Sequence, residues 1–245
     1  MSLAVTGLCK HYSGAPVLHD LCVTVEPGEV VGLLGPNGAG KTTAFRCVAG
    51  LISADAGSIR LAGTPLDRLP LWARVQRGLG YLPQDGSLID TLSVLDNLAL
   101  PAEARGTTRR TARSEAEALL ASDGLLPLRD ASAATLSGGE RRRIELLRCL
   151  AAKPAVLLLD EPFAGVDPVA VAGLQDRIRG LAADGLGVLI TDHAVHATLP
   201  LCDRALVLDR GTVIAQGTAA EIASNDLVRA RYLGPTFSLP GSERD

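Results

Sequence analysis

The stretch that decides the fold is residues 35–43, which read Gly-Pro-Asn-Gly-Ala-Gly-Lys-Thr-Thr. They match the pattern G-x-x-x-x-G-K-[ST], in which glycines let backbone N–H groups turn toward phosphate oxygens. An apolar run at residues 29–34 precedes the motif and a helical pattern at 41–50 follows it. Because a helix start adds partial positive charge, this context predicts a phosphate-binding loop. Lys41 is expected to reach the β- and γ-phosphates and Thr42 to place its hydroxyl on Mg²⁺.

A second apolar run, at residues 156–159, ends in the acids Asp160 and Glu161. A strand end beside a phosphate loop is where a carboxylate can organise the shell of a Mg²⁺ ion, which predicts that role for Asp160. Glu161 is then positioned to polarise an attacking water as general base. The alternative is a strand that ends in solvated acids.

Two further apolar runs, at residues 188–191 and 205–208, have the length and composition of buried strands. Helical patterns at 41–50 and 168–183 alternate with the runs, which predicts an α/β fold with a mainly parallel core sheet. Residues 85–150 break this rhythm and predict a helical insertion. The chain is thus interpreted as one domain, 1–245, with a nucleotide-binding core at 1–84 and 151–225, a helical subdomain at 85–150 and a C-terminal tail at 226–245.

Composition narrows the class of protein. The 245 residues are 47% apolar and 21% charged with a net charge of −3, which favours a folded domain over disorder. The longest stretches without a charged residue have 11 residues, whereas a spanning helix needs about 20. No signal peptide is visible, and a pI near 5.8 argues against a general nucleic-acid binder. The cysteines lack CxxC spacing and are interpreted as buried thiols: Cys9, Cys22, Cys47, Cys149 and Cys202.

Residues 136–140, Leu-Ser-Gly-Gly-Glu, open a helical pattern whose apolar positions Ile144, Leu147 and Leu150 share one face. Ser137 and Glu140 also have the spacing of a capping box, which is the purely structural interpretation. A capping box does not require the two glycines, however. Serine and glycine at a helix start favour an anion site.

The Leu-Ser-Gly-Gly-Glu stretch, between a phosphate loop and a strand ending in Asp-Glu, resembles the ATP-binding cassette (ABC) ATPases. The other motifs of that family follow in order. Gln84 resembles the glutamine of the glutamine loop, Asp167 the D-loop aspartate and His193 the switch histidine. Tyr12 stands where the family has an aromatic that stacks on adenine. The alternatives are packing for Tyr12, and for His193 a strand-capping histidine or, with His196, a metal pair.

The resemblance implies the P-loop NTPase fold of an ABC nucleotide-binding domain, with a mainly parallel core sheet, an N-terminal antiparallel β part and a helical subdomain. It implies ATP and Mg²⁺ as ligands, with Glu161, His193 and Gln84 in catalysis and Thr42, Gln84 and Asp160 at the metal. The residues it implies for ATP binding are Tyr12, Gly35, Pro36, Asn37, Gly38, Ala39, Gly40, Lys41, Thr42, Thr43, Ser137, Gly138, Gly139 and Asp167. It also implies a head-to-tail homodimer that holds ATP between the loop of one copy and Ser137–Gly139 of the other.

Longer stretches are similar to the ATPases of lipopolysaccharide export, among them residues 136–143, 161–168, 187–193 and the tail 232–239. The resemblance implies separate transmembrane partners, a place on the cytoplasmic face of the inner membrane, a tail that helps hold the ATPase pair together, and no nucleic-acid partner. Docking is expected near Leu88, Ile89 and Asp90, where Asp90 replaces a positive charge common in those relatives. The tail could instead be a frayed end. The alternatives in function are an ATPase of branched-chain amino-acid import, an ABC ATPase acting on DNA or ribosomes, and a binding module without catalysis.

Overall fold

The computed structural model describes residues 1–239. The strands of this part are β1 (Leu3–Tyr12), β2 (Ala15–Val25), β3 (Val30–Leu34), β4 (Ala56–Leu61), β5 (Thr64–Pro65), β6 (Leu79–Leu82), β7 (Val156–Asp160), β8 (Gly187–Thr191), β9 (Arg204–Asp209) and β10 (Thr212–Gly217). The helices are α1 (Lys41–Ala49), α2 (Leu71–Gln76), α3 (Val94–Ala104), α4 (Arg109–Ser122), α5 (Gly138–Ala151), α6 (Pro168–Ala183), α7 (Val195–Thr198), α8 (Ala219–Ser224) and α9 (Asp226–Val228). None of the helices in residues 1–239 is long and apolar enough to cross a membrane.

The core sheet has the strand order β10-β9-β3-β8-β7-β6. All neighbours are parallel except β10, which pairs antiparallel with β9. Every residue of β3, β7 and β8 is buried, as expected for apolar strands covered on both faces. The predicted α/β class with a mainly parallel sheet is confirmed. The carboxyl ends of β3, β8 and β7 are therefore adjacent at one edge of the sheet.

A second, antiparallel sheet has the order β2-β1-β4-β5. Along β2, Leu21, Val23 and Val25 are buried and alternate with outward-facing residues, as the two-residue period of a strand requires. One of those outward positions is Cys22, which is exposed. The interpretation of all five cysteines as buried is therefore wrong for Cys22. It is correct for Cys47 and Cys202, whereas Cys9 and Cys149 are half-buried.

Helices α3, α4 and α5 follow β6 and precede β7 in the sequence, and they pack around a core of their own. Leucine and alanine dominate this core, with Leu98, Ala112, Leu120 and Leu147 fully buried. Each helix begins at a hydroxyl that accepts a backbone N–H bond and so satisfies one free amide of the first turn; these caps are Ser93, Thr108 and Ser137. The helical insertion thus forms a subdomain joined to the sheet at both ends.

An ionic contact joins this subdomain to the core domain. The carboxylate of Asp123, just after α4, lies 3.4 Å from Arg143 Nη2 on α5 and 2.9 Å from Arg177 Nε on α6. The Asp123 side chain is only 7% exposed. Three successive helices, two of the subdomain and one of the core, therefore meet at one carboxylate.

The C-terminal segment folds back onto the core sheet. After α9, Arg229–Leu233 form a π-helical turn. Tyr232, Leu233 and Phe237 pack against an apolar cluster that includes Leu34 and Val207 of the sheet. The segment as far as residue 239 is thus packed rather than frayed, while residues 240–245 of the predicted tail lie outside the described residues.

Candidate nucleotide site

Residues 35–40 turn between the end of β3 and the start of α1. Gly35 has φ 144°, and a Cβ there would lie 2.0 Å from the carbonyl oxygen of Leu208. Gly40 has φ 106°, and a Cβ there would lie 2.8 Å from the carbonyl oxygen of Val17. Only glycine fits these two positions without displacing the backbone. The turn leads into the N-terminus of α1, whose free N–H groups favour an anion.

A cavity of about 330 Å³ opens beside this turn. It is lined by Tyr12, Val17, Asn37, Gly38, Gly40, Lys41, Thr42, Thr43 and Glu161. The structure thus brings together most residues predicted for the phosphate loop with Tyr12 on one side and Glu161 on the other. Gly35, Pro36 and Ala39 support the turn from outside the cavity lining.

Lys41 is the cation of this cavity and is only 6% exposed. Its Nζ donates to the carbonyl oxygens of Gly35 at 2.8 Å and Pro36 at 3.0 Å. Burial lowers the pKa of Lys41, while the carboxylates of Glu161, Asp160 and Asp192 counteract that shift. The ammonium is thus held by two carbonyl groups of the loop and lies near three carboxylates.

Asp160 ends β7 and is 1% exposed. Its Oδ2 accepts a hydrogen bond of 3.2 Å from the Tyr81 hydroxyl, whereas its buried Oδ1 has no partner within residues 1–239. Burial raises the pKa of Asp160 to about 6, and the negative charge of Glu161 adds to that rise. On the neighbouring β8, the buried hydroxyl of Thr191, paired in register with Asp160, is also without a partner in this part of the chain. Unsatisfied buried oxygens of this kind fit a hard cation such as Mg²⁺.

Glu161 and His193 lie next to each other at the sheet edge. Glu161 has φ 48°, a left-handed conformation that costs a non-glycine residue on the order of 1 kcal/mol. Its Oε2 is 3.4 Å from His193 Nδ1. The Glu161 side chain is 17% exposed and that of His193 58%. His193 is therefore not the buried strand-capping histidine of the alternative interpretation, and His196, three residues on, stacks on Phe237.

Asp192 holds the backbone around these two residues and was not among the residues predicted from the sequence. It is fully buried, and its carboxylate accepts hydrogen bonds from the N–H groups of Phe163 at 2.9 Å and Ala194 at 2.8 Å. These bonds join the loop after β7 to the loop after β8. An acid directly after a buried strand was the available signal, as it was for Asp160.

Ser137, Gly139 and Asp167 line a different cavity, of about 650 Å³. Among the described residues, none lines both this cavity and the one beside the phosphate loop. Ser137 caps α5 and forms the capping box with Glu140, whose pKa is lowered by the hydrogen bond from the Ser137 side chain. A Cβ on Gly139 would lie 3.1 Å from the Ala170 side chain and 3.6 Å from Asp167 Oδ2. Gly138 has more room, since its nearest neighbour would be the carbonyl oxygen of Gly165 at 3.7 Å.

Gln84 lines a third cavity, of about 520 Å³, in the cleft between the core sheet and the helical subdomain. Asp160 lines the same cleft, which also includes Arg46, Leu71, Tyr81 and Arg148. The cleft therefore reaches from the surface to the predicted metal ligand. Gln84 itself is exposed.

Arg142 links these regions and was not singled out from the sequence. Its buried guanidinium donates to the carbonyl oxygens of Pro83, Asp160, Glu161 and Pro162 and to Glu145 Oε2, over 2.9 to 3.2 Å. The other oxygen of Glu145 accepts the N–H of Ser87 at 2.9 Å. Helix α5 is thereby attached to the loops that carry Gln84 and Glu161. The available signal was the i, i+3, i+4, i+7 pattern of Arg142, Glu145, Leu146 and Cys149, which faces the sheet.

The three residues expected at the docking site differ in exposure. Leu88 is buried in the helical subdomain core, so it supports the loop from inside rather than presenting a surface. Ile89 is 42% exposed. Asp90 is paired with Arg141 Nη2 on α5 at 2.6 Å. Its negative charge is thus balanced within the chain.

A phosphate loop, an acidic strand end and a neighbouring histidine, all on the carboxyl edge of a parallel sheet, define a P-loop nucleoside triphosphatase. A family model described as ABC transporter matches residues 18–164. The chain belongs to this family, whose ATP-binding subunits dimerise and work with separate transmembrane partners.

Both known proteins and solved structures are similar to almost the whole chain. It is 47% identical to the lipopolysaccharide export system ATP-binding protein LptB of Escherichia coli K12, over 97% of this chain and 99% of that protein. It is 47% identical to a probable ABC transporter ATP-binding protein of Azorhizobium caulinodans, over 97% of this chain and 85% of that protein. Among solved structures, the ADP conformation of MJ1267, an ATP-binding cassette of an ABC transporter, matches with a TM-score of 0.86 at 25% identity, covering 96% of this chain and 99% of that one.

Proposed function

We propose that this chain is the ATP-hydrolysing subunit that powers lipopolysaccharide export. The observation that carries its catalytic part is the common cavity of Lys41, Thr42 and Glu161, with His193 3.4 Å from the Glu161 carboxylate. Lys41 binds the β- and γ-phosphates, and the glycine-rich turn donates its N–H groups to them. Glu161 orients the attacking water and accepts its proton, and His193 contacts the γ-phosphate.

Mg²⁺ is the cation that Thr42, Asp160 and Gln84 would hold. Two observations support this assignment: Oδ1 of Asp160 has no hydrogen-bond partner within residues 1–239, and Asp160 lines the same cleft as Gln84. When bound, the ion neutralises charge on the phosphates. Ionised Asp160 is disfavoured by its burial, so a cation beside it would stabilise the carboxylate.

The complete site is built by two copies. Ser137, Gly138, Gly139 and Asp167 of one copy would close on the nucleotide held by the phosphate loop of the other. The separate cavities of the two motifs support this arrangement, because within residues 1–239 neither Ser137, Gly139 nor Asp167 lines the cavity of the phosphate loop. ATP would then join the copies and hydrolysis would let them part, which gives a two-state motor.

Lipopolysaccharide is the proposed cargo because of the 47% identity to LptB over nearly the full length of both chains. The transmembrane partners would dock at the 520 Å³ cleft beside Ile89 and Asp90, on the cytoplasmic face of the inner membrane. The apolar part of the cleft lining, with Leu71 and Val75, suits a partner helix, and Ser87 of the same lining is two residues before Ile89.

The catalytic proposal is tested with Glu161→Gln. We expect ATP binding to persist, turnover to fall by about a hundredfold or more because the general base is lost, and a dimer to accumulate with ATP. Unchanged turnover would contradict the assigned base.

The transport proposal needs a separate experiment. The tagged chain is purified from native membranes and the co-purifying chains are identified by mass spectrometry. Single-span or jelly-roll export proteins are expected. A periplasmic amino-acid receptor would contradict lipopolysaccharide export and indicate an importer.

A further inference from the structure

The ring of Tyr12 is contacted on one face by Lys10. Lys10 Nζ lies over the ring, 5.6 Å from its centroid, within the range of a cation–π contact. Tyr12 is 46% exposed and lines the cavity beside the phosphate loop. The cation therefore lies over one face of the ring, and the exposed part of the side chain borders the cavity.

Lys10 is itself held in place by Asp55. Its Nζ is 2.9 Å from Asp55 Oδ1, while Asp55 Oδ2 accepts the backbone N–H of His11 at 2.6 Å. The Asp55 N–H in turn donates to the carbonyl oxygen of Cys9 at 2.9 Å. The connection between α1 and β4 is thus bound to the end of β1, on both sides of Lys10.

Both partners of this pair are charged at neutral pH. The hydrogen bond from Lys10 holds the pKa of Asp55 below its ordinary value, and the bond to Asp55 raises the pKa of Lys10. The Lys10 side chain is 14% exposed and that of Asp55 40%. The pair lies at the surface rather than in the core.

We infer that Lys10 and Asp55 are positioning residues for the base of the nucleotide. Asp55 fixes the ammonium of Lys10, and the ammonium fixes the ring of Tyr12 so that its uncovered face meets a purine base. Stacking requires the face of the base to lie against the face of the aromatic ring, so the orientation of the ring affects how well the base is held. The inference rests on the proposed contact between Tyr12 and the base of ATP.

The test compares the dissociation constants of ATP and of inorganic tripolyphosphate, which has no base. We expect Tyr12→Ala to weaken ATP binding roughly tenfold and Lys10→Met roughly threefold. Asp55→Ala should weaken ATP binding by about the same factor as Lys10→Met. Tripolyphosphate binding should change in none of them. Lys153→Met is the matched control, because Lys153 also pairs with an acid, Glu115, at 2.6 Å, but outside the site.

The double variant Lys10→Met/Tyr12→Ala separates positioning from a general structural effect. It should bind ATP no more weakly than Tyr12→Ala, because Lys10 acts through the ring. Additive losses, or weaker tripolyphosphate binding, would overturn the inference. So would wild-type ATP affinity in Lys10→Met when Tyr12→Ala is weakened. Wild-type affinity in Tyr12→Ala would instead refute the base contact on which the inference rests.

Discussion

At the scale of single residues, the cysteines show how burial controls chemistry. Burial raises the pKa of Cys47 to about 11 and that of Cys202 to about 12. The Cys202 thiol donates to the carbonyl oxygen of Thr198 at 3.1 Å. Because the thiolate is the reactive form, both side chains are protected twice, by lack of access and by protonation.

We therefore expect iodoacetamide at pH 8 to modify Cys22 in the native protein and to leave Cys47 and Cys202 unmodified. Raising the pH to 9 should also leave Cys47 and Cys202 unmodified, since the pKa values of both thiols lie above 9. Peptide mass spectrometry after timed labelling measures this, with the urea-unfolded chain as reference. Labelling of Cys202 in the native protein at the reference rate would contradict the prediction.

The exposure of Cys22 could be predicted from the sequence, because the apolar residues Leu21, Val23 and Val25 alternate around it. The interpretation of the cysteines by residue type alone overlooked that period. By contrast, the contact between Glu161 and His193 could not be predicted as a distance. It depends on β7 and β8 lying side by side in parallel, and local sequence does not state which strands are neighbours.

At the scale of elements, helix α5 connects the helical subdomain to the edge of the core sheet that carries Asp160 and Glu161. Its outer end carries Ser137, and its buried face carries Arg142 and Glu145. A buried ion pair of this kind contributes little over an apolar pair, but leaving one charge alone is strongly destabilising. Helix α5 is thus attached to the Glu161 backbone through an ion-paired arginine, and removing either partner of that ion pair would be strongly destabilising.

We expect Arg142→Met to lower the free energy of unfolding by about 3 kcal/mol or more, because Glu145 and several carbonyl groups lose their partner. Adding Glu145→Gln should recover part of that loss by removing the buried charge. Urea denaturation measures both variants. Arg110→Met, at an exposed position of α4, is the control and should change stability by less than about 0.5 kcal/mol. Equal stability of Arg142→Met and the control would contradict a stabilising role for the buried Arg142–Glu145 pair.

Element boundaries followed the sequence closely where burial is complete. The apolar runs before residue 35, at 156–159 and at 188–191 became β3, β7 and β8, and the helical pattern at 168–183 became α6 with the same limits. The strands of the antiparallel sheet were not delimited, because register shifts in β1 between Val5 and Leu8 break its alternation. Three successive arginines, 141 to 143, also look alike in sequence, yet only Arg142 points into the core.

At the scale of the whole molecule, the phosphate loop and Ser137–Gly139 border two separate cavities, and in the proposed arrangement each is completed by a second copy. Lys41→Ala removes the phosphate cation, and Gly139→Asp crowds Ala170 and adds a negative charge near Asp167 Oδ2. In a mixed dimer of these two variants, one site keeps both an intact phosphate loop and an intact serine-glycine turn, Ser137–Gly139.

We therefore expect each variant alone to be inactive and their mixture, assembled with the membrane partners, to recover part of the ATPase activity. Phosphate release is measured on dimers purified through two different tags. No activity above that of the separate variants would contradict a site shared between copies. Wild-type chains carrying the same tags control for losses during purification.

The separation of the phosphate loop from the serine-glycine turn has a consequence for the living cell. In the proposed arrangement a newly made chain carries no finished reaction centre, so a lone copy leaves the ATP pool untouched. Fuel use begins only where two copies meet, and membrane partners that gather two copies promote it.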